Sequence, residues 1–287
     1  MTNVPAPISS LLSGARPTIS FEFFPPKDEA GFETLGNTFA QLKKFNPDFV
    51  SVTYGAMGSN QDSSLAVVKQ LAGQVATVAH LTCIGATEAN IEALMSEYLV
   101  AGVAGILALR GDAPKDYVGN PLGDFHTAND LVNFIKDSNF EIGVAAFPEK
   151  HPESDTLAHD LEVLKLKQTS GASFAMTQLF FDVDAYFDLV SNARNAGITL
   201  PIVPGVMPIA NAKQVLRMAE MSGALIPQHL VEQLNGAIDD DAARAIGMNF
   251  TAELVKGLIA GGAPGVHIFT LNHHKATTEL LEASGLA

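Results

Sequence analysis

The sequence predicts a single (β/α)8 TIM barrel, on two observations. Apolar strand-like segments and helix-like segments alternate about eight times along the 287 residues, at spacings that suit parallel crossovers. No linker or shift in composition divides the chain after residue 16. A doubly wound open sheet is the alternative, but no G-x-G-x-x-G follows a strand and opens a helix. We therefore expect residues 17–287 to form one barrel domain behind an N-terminal extension, residues 1–16.

The first predicted strand is the apolar stretch at residues 19–24, which stops at Pro25 and Pro26. Proline has no backbone donor, so a central strand cannot continue through this pair. Glu22 is the unusual residue, because burial between two phenylalanines disfavours the charged form of a carboxylate. A glutamate in an apolar wall near a strand end is a candidate general acid. The alternative is an alternating edge strand in which Glu22 faces water.

Hydrophobic spacing and capping residues place the elements of the first half of the chain. Phe32, Leu35, Phe39 and Leu42 share one helical face, and Thr87 is a typical helix cap. From these signals we predict helices at residues 31–45, 63–71 and 87–100, strands at residues 49–54, 77–84 and 106–109, and loops at residues 55–59 and 110–114.

The second half of the chain begins with a polar loop at residues 115–126, rich in Gly, Pro and Asp, and loops of this length tend to be functional. The same signals then predict strands and helices in alternation, with a largely helical insertion before the last strand. The predicted helices lie at residues 128–136, 157–168, 184–195, 212–221, 227–259 and 276–283, and the predicted strands at residues 142–147, 174–180, 202–206 and 266–271.

Composition excludes several classes of partner and site. The net charge is −14, with 17 Lys and Arg against 31 Asp and Glu, which argues against nucleic acid and anionic membranes as main partners. Cys83 is the only cysteine, so no intrachain disulfide can form. No apolar run reaches membrane-spanning length, and the first sixteen residues lack the apolar core of a signal peptide. We expect a soluble cytoplasmic protein and a homo-oligomer.

Polar residues gather where the predicted strands end, and in a barrel these positions face the active site. Each of them also has a structural explanation: His80 as a core histidine, Arg110 and Asp112 as a loop ion pair, and Gln178 as a helix cap. The joint pattern favours a site, because one topology brings them all to one mouth. The strand-end residues are Glu22, Thr53, Tyr54, His80, Thr82, Arg110, Asp112, Phe147, His151, Thr177, Gln178, Thr270, Asn272, His273 and His274.

No metal site is expected, since His267, His273 and His274 have no carboxylate or cysteine at a matching spacing. Arg110, Lys167 and His151 are instead candidates for contact with phosphate groups, which barrels often bind near strand ends.

Five motifs in register, and two more after them, resemble the bacterial methylenetetrahydrofolate reductase family. The resemblance covers nearly the whole chain after about residue 17. The motifs are FEFFPP at 21–26, VSVTYG at 50–55, AHLT at 79–82, ALRGD at 108–112 and TQLFFD at 177–182, extended by PGVMP at 204–208 and FTLN at 269–272.

The resemblance implies a flavin enzyme that reduces 5,10-methylenetetrahydrofolate to 5-methyltetrahydrofolate with FAD and NADH, in one-carbon metabolism and methionine biosynthesis. Glu22 matches the family's acid, Asp112 the carboxylate between flavin and pterin, and Gln178 the residue that contacts folate and nicotinamide in turn. The resemblance also implies flavin or dinucleotide contacts at Thr53, Tyr54, Ala56, His80, Arg110, Gly111, Ala128, Phe147, His151, Asp160 and Lys167, and folate contacts at Gln214 and His273.

Four positions depart from the family pattern. Phe147 replaces a usual tyrosine, Val163 and Leu166 replace polar or basic flavin contacts, and His273 stands where an arginine meets the folate tail. These departures leave two alternatives open: direct hydride transfer from NADH to folate without a flavin, and a non-catalytic barrel that only binds folate or flavin. The set of Glu22, Asp112 and Gln178 argues against the second alternative, because a binding module needs no acid.

Overall fold

The computed structural model describes residues 6–54, 61–112 and 122–287. The predicted loop at 55–59, with Ala56, and most of the predicted loop at 115–126 lie outside these residues. Within them the chain forms nine parallel strand segments that carry the barrel wall. The strands are β1 (Thr18–Phe23), β2 (Phe49–Val52), β3 (Thr77–Thr82), β4 (Gly105–Leu109), β5 (Glu141–Ala146), β6 (Phe174–Thr177), β7 (Ile202–Val203), β8 (Gly205–Val206) and β9 (Gly265–Phe269).

The strands follow the order β7-β6-β5-β4-β3-β2-β1-β9-β8, with every pairing parallel. β7 pairs with β6 and β8 pairs with β9, and only Pro204 separates the two short strands. The predicted continuous strand at 202–206 is therefore divided, because a proline offers no N–H to a ladder. Together β7 and β8 act as one barrel strand and close the sheet, which confirms the predicted (β/α)8 architecture.

Helices surround this sheet, and most of them begin at a side-chain cap of the predicted type. Thr87 accepts from the Asn90 N–H, and Thr127 forms a reciprocal capping box with Asp130. The helices of the described residues are α1 (Ile8–Leu12), α2 (Glu29–Leu42), α3 (Gln61–Ala72), α4 (Glu88–Ala101), α5 (Ala128–Ile135), α6 (Leu157–Thr169), α7 (Val183–Asn195), α8 (Ala212–Ser222), α9 (Gln228–Asn235), α10 (Asp240–Ala260) and α11 (His274–Ser284).

Two predicted helices differ from those observed. The predicted stretch at 227–259 is two helices, since the chain breaks after α9 and Asp239 caps α10 by accepting from the Ala242 N–H. The predicted helix at 31–45 ends at Leu42, and a 3-10 turn, Lys43–Phe45, follows it. Asn46 then adopts a left-handed conformation with φ of 48°, which ends helical geometry.

Helix α1 lies within the predicted N-terminal extension and packs against the barrel. Ile8 and Leu12 are buried beside Phe49, Val78 and Leu107. The Ser9 backbone and hydroxyl both donate to the Glu141 carboxylate at the start of β5. Glu141 is the first residue of β5, so α1 covers the amino-terminal end of the barrel, opposite the carboxyl ends of the strands. The division of the chain at residue 16 stays a prediction.

The alternation of β1 determines which side chains face the barrel interior. Phe21 and Phe23 are fully buried and belong to the same core cluster as Leu35 and Phe39 of α2. Glu22 faces the opposite side, into the barrel, and is 7% exposed. The alternative of an edge strand with Glu22 facing water is therefore wrong: β1 is a central strand, paired on both sides.

Among the described residues no helix is long and apolar enough to cross a membrane.

Candidate active site

Two adjoining cavities open where the strands end. The first, which we call the mouth cavity, has a volume of about 390 Å³ and lies over the carboxyl ends of the strands. The second, which we call the side cavity, has a volume of about 830 Å³ and lies between the β5 end, the start of α5, and helices α6 and α7. Ala145 and Phe147 line both cavities. The two cavities therefore adjoin at the end of β5.

Glu22 lies at the base of the mouth cavity with two histidines beside one of its oxygens. The His80 Nε2 atom lies 3.6 Å from Glu22 Oε2, and the His267 Nε2 atom lies 3.7 Å from the same oxygen. All three side chains are less than one-tenth exposed. A buried carboxyl group flanked by imidazoles at a cavity base has the environment of a proton donor or acceptor.

The two histidines differ in their hydrogen bonding. His267 uses both ring nitrogens, with Ser20 Oγ 2.8 Å from Nδ1 and Ser51 Oγ 3.0 Å from Nε2. The His80 Nε2 atom is buried without a hydrogen-bond partner among the described residues. Burial lowers the pKa of His80 to about 4, although the nearby Glu22 carboxylate acts to raise it. His80 is therefore neutral near pH 7.

The last strand holds the chain in place where it leaves β1. The Thr270 hydroxyl donates to the Glu22 carbonyl at 2.6 Å. Asn272 accepts from the Phe24 N–H and donates to the Phe24 carbonyl, as a neighbouring strand would. Leu271 and Asn272 both have positive φ, 50° and 58°, a conformation that costs free energy outside glycine and recurs near functional sites. These bonds fix the backbone on which Glu22 is mounted.

Gly111 allows the loop after β4 to approach β3. Its φ is +78°, and a Cβ atom there would lie 2.8 Å from the Thr82 Cβ atom. The next residue, Asp112, lines the mouth cavity with an exposed side chain, 3.9 Å from the Arg110 guanidinium. The loop ion pair between Arg110 and Asp112, which is the structural alternative to a site role for these residues, is thus present in a loose form.

Arg110 makes its closer contact with Glu153, on the loop before α6. Both guanidinium nitrogens of Arg110 donate to the Glu153 carboxylate. This bond is the main cause of a raised pKa at Arg110 and of a lowered pKa at Glu153. Both residues line the side cavity. An anionic ligand that reached Arg110 would compete with Glu153.

Asp160 anchors the same loop to α6. The Asp160 carboxylate accepts from the His151 N–H at 2.8 Å and from the Ser154 hydroxyl. The His151 ring meets the Phe147 ring edge to face, with centroids 4.7 Å apart. Burial is the first cause of a lowered pKa at His151, and the Arg110 charge is the second. Asp160 therefore holds the loop that carries His151 and Ser154 in place as one wall of the side cavity.

Lys167 is a buried cation in the side cavity. It is 9% exposed, and in the described part of the chain no carboxylate lies within ion-pair distance of its Nζ atom. Burial lowers its pKa, against the opposing effect of Asp160. A buried ammonium group without a paired carboxylate is costly, so this position favours an anionic ligand. Val163 and Leu166 line the cavity on the same helix.

The start of α5 adds backbone and amide groups to the side cavity. Thr127, Ala128 and Asn129 all line it, and a helix N-terminus carries unpaired N–H groups and partial positive charge. The Asn129 Oδ1 atom is buried and has no hydrogen-bond partner among the described residues. This wall can therefore accept further polar contacts from a ligand.

Most of the predicted site residues line one of the two cavities. Gln214, an exposed residue near the start of α8, and His273, the exposed N-cap residue of α11, line neither cavity. Ala56 lies outside the described residues. Lining the mouth cavity are Glu22, Thr53, Tyr54, His80, Gly111, Asp112, Phe147 and Gln178, and lining the side cavity are Arg110, Ala128, Phe147, His151, Asp160 and Lys167.

Sequence reasoning missed part of the site. It considered His267 only as a metal ligand, and it did not single out Asn129 or Glu153. A period of two along β9 would have turned His267 to the same side as Phe269, toward the barrel interior. No comparable signal marks Asn129 or Glu153, since polar residues at a helix start or in a loop are common. In the described ranges no group of three His, Cys, Asp or Glu side chains is arranged to hold a metal ion.

Comparison with known proteins identifies close relatives. The family model described as methylenetetrahydrofolate reductase matches residues 8–285. The chain is 37% identical over 273 residues to 5,10-methylenetetrahydrofolate reductase of Escherichia coli (strain K12), across 93% of this chain and 90% of that one. It is 38% identical over 296 residues to methylenetetrahydrofolate reductase (NADH) 1 of Arabidopsis thaliana, across 97% of this chain. The chain spans about half the length of that plant relative, 50%.

Among solved structures, the fold is similar to that of an uncharacterized protein from Clostridium thermocellum that binds two copies of 5-methyl-5,6,7,8-tetrahydrofolic acid. The TM-score is 0.67 and the identity 18%, across 96% of this chain and 95% of that one. At this identity the likeness concerns the fold alone.

Proposed function

Because the chain belongs to the methylenetetrahydrofolate reductase family, we propose that it reduces 5,10-methylenetetrahydrofolate to 5-methyltetrahydrofolate, with electrons from NADH or NADPH and with FAD as its cofactor. The family match covers residues 8–285, and the chain spans 90% of the Escherichia coli relative. The observation that carries the proposal is Glu22: a buried carboxyl group with two imidazoles beside it, at the base of a cavity at the strand ends.

Glu22 acts as the general acid. The folate nitrogen whose bond to the methylene carbon breaks takes the Glu22 proton together with the bonding electron pair. Ring opening then leaves the methylene carbon in a cationic iminium, which is ready to accept a hydride. Glu22 suits this step because its carboxyl group is buried at the base of the mouth cavity, where it can face a bound substrate. The bonds from Thr270 to its carbonyl keep its backbone fixed while the proton is given.

Asp112 stabilises the cation that forms. A carboxylate close to the iminium lowers the energy of the charged state without moving a proton. Asp112 lines the same mouth cavity as Glu22, and the left-handed conformation of Gly111 allows its loop to reach β3. The Arg110 guanidinium lies 3.9 Å from the Asp112 carboxylate.

Gln178 is proposed to orient the two substrates in turn. Its side-chain oxygen accepts from the Leu179 N–H at 2.9 Å, which leaves its NH₂ group as a donor. The residue lines the mouth cavity at the end of β6. An amide group donates equally to a folate ring or a nicotinamide carboxamide, and it carries no charge that would favour one of them.

The residues of the two cavities fit FAD. The two volumes, about 390 and 830 Å³, adjoin at Phe147, as a ligand with a ring system joined to a nucleotide requires. Lys167 and Arg110 offer positive charge to a diphosphate, while His80 and Asn129 offer buried polar atoms without partners. When bound, FAD supplies the hydride carrier between NADH and folate.

The flavin-free alternative is favoured by a separate observation. Val163 and Leu166 give the α6 wall of the side cavity an apolar face, and Glu153 already occupies the Arg110 guanidinium. In this second candidate function NADH itself would lie against the folate in the mouth cavity, and Glu22 would keep the same role. The side cavity would then serve the dinucleotide.

One experiment separates these functions. The absorbance spectrum of freshly purified protein is recorded, and NADH oxidation with methylenetetrahydrofolate is measured with and without added FAD. The proposal expects a flavin spectrum or an FAD-dependent rate. Colourless protein that is fully active and indifferent to FAD supports the second candidate. No oxidation of NADH or of NADPH under any of these conditions would overturn both.

A further inference from the structure

His267 belongs to a buried polar array that links three strands beneath Glu22. On β1 the Ser20 hydroxyl lies 2.8 Å from His267 Nδ1, and on β2 the Ser51 hydroxyl lies 3.0 Å from His267 Nε2. The Ser20, Ser51 and His267 residues are all fully buried. Such an array costs desolvation in every member. A core of apolar residues would fill the same space without that cost.

Aromatic packing fixes the plane of the same ring. The Phe49 ring stacks on the His267 ring with centroids 5.7 Å apart and an interplanar angle of 9°. The Phe269 ring meets it edge to face at 5.8 Å and 89°. Two hydrogen bonds in the ring plane and two aromatic contacts leave the imidazole one orientation, in which Nε2 lies 3.7 Å from Glu22 Oε2.

The hydrogen bonds also favour one tautomer of the neutral ring. Ser20 has a single hydroxyl proton, and the Val266 carbonyl accepts a bond from it at 3.1 Å. The Ser20 oxygen then accepts, so the His267 proton lies on Nδ1. His267 Nε2 in turn accepts from the Ser51 hydroxyl. This arrangement gives every polar group of the array a partner, and it leaves the Nε2 edge of the ring 3.7 Å from Glu22 Oε2.

We propose that His267 is a positioning residue for Glu22: the Ser20–His267–Ser51 array holds the imidazole edge against one carboxyl oxygen and so orients the acid toward the mouth cavity. The proposal rests on the role of Glu22 proposed above. The same oxygen, Oε2, is 3.6 Å from His80 Nε2. It therefore lies between two rings, that of His80 on β3 and that of His267 on β9. The other carboxyl oxygen is then the one presented to substrate.

The groups that face Glu22 are few. β3 provides His80, β9 provides His267, and Asp112 after β4 lines the same cavity. Ser51 is the register partner of Glu22 on β2, and its hydroxyl, like that of Ser20, bonds the His267 ring and not the Glu22 carboxyl group. Burial lowers the pKa of His80 to about 4, so near pH 7 it contributes no charge. Substitutions in the serine pair therefore alter the orientation of Glu22 without changing a charge in the cavity.

The experiment compares Ser51→Ala with Ser96→Ala, an exposed serine on α4 that is remote from both cavities. With saturating FAD, two rates are measured for each: NADH oxidation by an artificial electron acceptor, which needs no acid, and NADH oxidation by methylenetetrahydrofolate. Ser51→Ala should lower kcat with folate by roughly 10-fold or more, because a small displacement of a reacting group has effects of this size. Its KM and its rate with the artificial acceptor should stay within about twofold.

His267→Gln and His267→Asn refine the test. The longer Gln side chain places an amide where Nε2 was, and it should restore folate-dependent kcat in part. Asn can bond Ser20 but ends short of Glu22, and it should not. If both rates fall together, or if Asn and Gln behave alike, His267 has a structural role and the proposal fails. Unchanged kinetics in Ser51→Ala would also overturn it.

A spectroscopic measurement tests the contact independently of folate and FAD. In ¹⁵N-labelled protein, the neutral His267 ring should show a protonated Nδ1 and an unprotonated Nε2. The Nε2 resonance should shift in Glu22→Gln and stay in place in Ser96→Ala. If the wild type reduces no folate, the proposed function is wrong, and this resonance alone decides whether His267 contacts Glu22. A Nε2 resonance unaffected by Glu22→Gln would refute the contact.

Discussion

The Thr270 hydroxyl donates a 2.6 Å hydrogen bond to the backbone carbonyl of Glu22, so that the last barrel strand holds the first at the residue that carries the acid. The Thr270 N–H bonds the same carbonyl at 3.3 Å. The Glu22 side chain itself makes no hydrogen bond among the described residues. Its backbone is therefore fixed independently of its carboxyl group, and a change confined to the carboxyl should leave the strand in place.

Glu22→Gln should separate the two half-reactions. The amide keeps the shape and hydrogen-bonding capacity of the side chain but cannot give up a proton. NADH oxidation by an artificial acceptor should survive, while folate reduction should fall by roughly 10² or more, as for loss of a general acid. Steady-state rates of both reactions are the measurement, and Glu162→Gln, at an 80% exposed side chain, is the control. Equal losses in both reactions would show that Glu22 is positional or structural.

His80 should make stability depend on pH. Its pKa is about 4 in the folded protein, below the usual 6.5, so the unfolded chain binds the proton more strongly. The contribution of the neutral His80 side chain to the free energy of unfolding is fully present above about pH 6.5 and is lost as the pH falls toward 4. The total loss is on the order of 3 kcal/mol. Urea unfolding of wild type and His80→Gln across this range is the measurement, and the variant should show the weaker pH dependence.

Carboxylates also titrate in this window, so the comparison needs a matched histidine. His159 has a 58% exposed side chain on α6, and His159→Gln should keep the pH dependence of the wild type. Identical slopes for His80→Gln and wild type would mean that His80 is protonated without penalty in the folded state, contrary to its burial.

The sequence predicts the elements of the barrel better than their ends. The predicted strands at 77–84 and 174–180 stop at Thr82 and Thr177, because the sheet opens into the mouth there and pairing ends. The apolar residues beyond continue the sequence pattern of a strand, although they are not paired. Helix α1 escaped prediction because five residues carry too few apolar positions to show a period. The predicted family is confirmed by the match over residues 8–285.

The site was predicted as far as local motifs extend. Glu22, His80 and Gln178 were placed at one mouth because strand ends meet there in a barrel, and they do line one cavity. The partners of His267 were beyond such reasoning, since Ser20 and Ser51 lie 247 and 216 residues away along the chain. Contacts of that separation depend on barrel closure, which no local pattern encodes. The assigned roles of these residues stay predictions, as does the homo-oligomer.

Gly111→Ala should destabilise the fold measurably. An alanine there must adopt φ of +78° and would bring its Cβ atom to 2.8 Å from Thr82 Cβ and 3.2 Å from Ile84 Cγ1. Strain of this kind costs about 1–3 kcal/mol in the free energy of unfolding, and denaturant unfolding is the measurement. Gly73→Ala is the control, since no atom lies within 4 Å of its added Cβ. Equal stability of the two variants would contradict the close approach of the loop to β3.

Glu153→Gln should strengthen the binding of FAD. The Glu153 carboxylate pairs with Arg110 and competes with any anionic ligand for the guanidinium. An exposed ion pair contributes about 0.2–1 kcal/mol, so removal of the competitor should tighten binding by up to roughly fivefold. Fluorescence titration of FAD gives the dissociation constant, and added salt should reduce the difference. Glu97→Gln on α4, which removes the same charge elsewhere, should have no such effect. Weaker binding in Glu153→Gln would mean that Glu153 holds Arg110 in place for the ligand.

FAD should bind but leak on dilution or gel filtration. The α6 wall offers Lys167, but Val163 and Leu166 line it with apolar side chains, and Phe147 offers a ring without a hydroxyl. Each charge-assisted bond missing from a phosphate or ribose costs about 1.5–3 kcal/mol, which weakens binding by roughly ten- to a hundredfold.

Added FAD should restore activity, and Leu166→Arg should slow the loss of FAD, because an arginine at this 51% exposed position can reach the cavity. Leu99→Arg, at a 54% exposed position on α4, adds the same charge without that reach and should not. Yellow protein that keeps full activity through extensive dilution would contradict weak binding, and equal retention in the two arginine variants would show that general charge governs it.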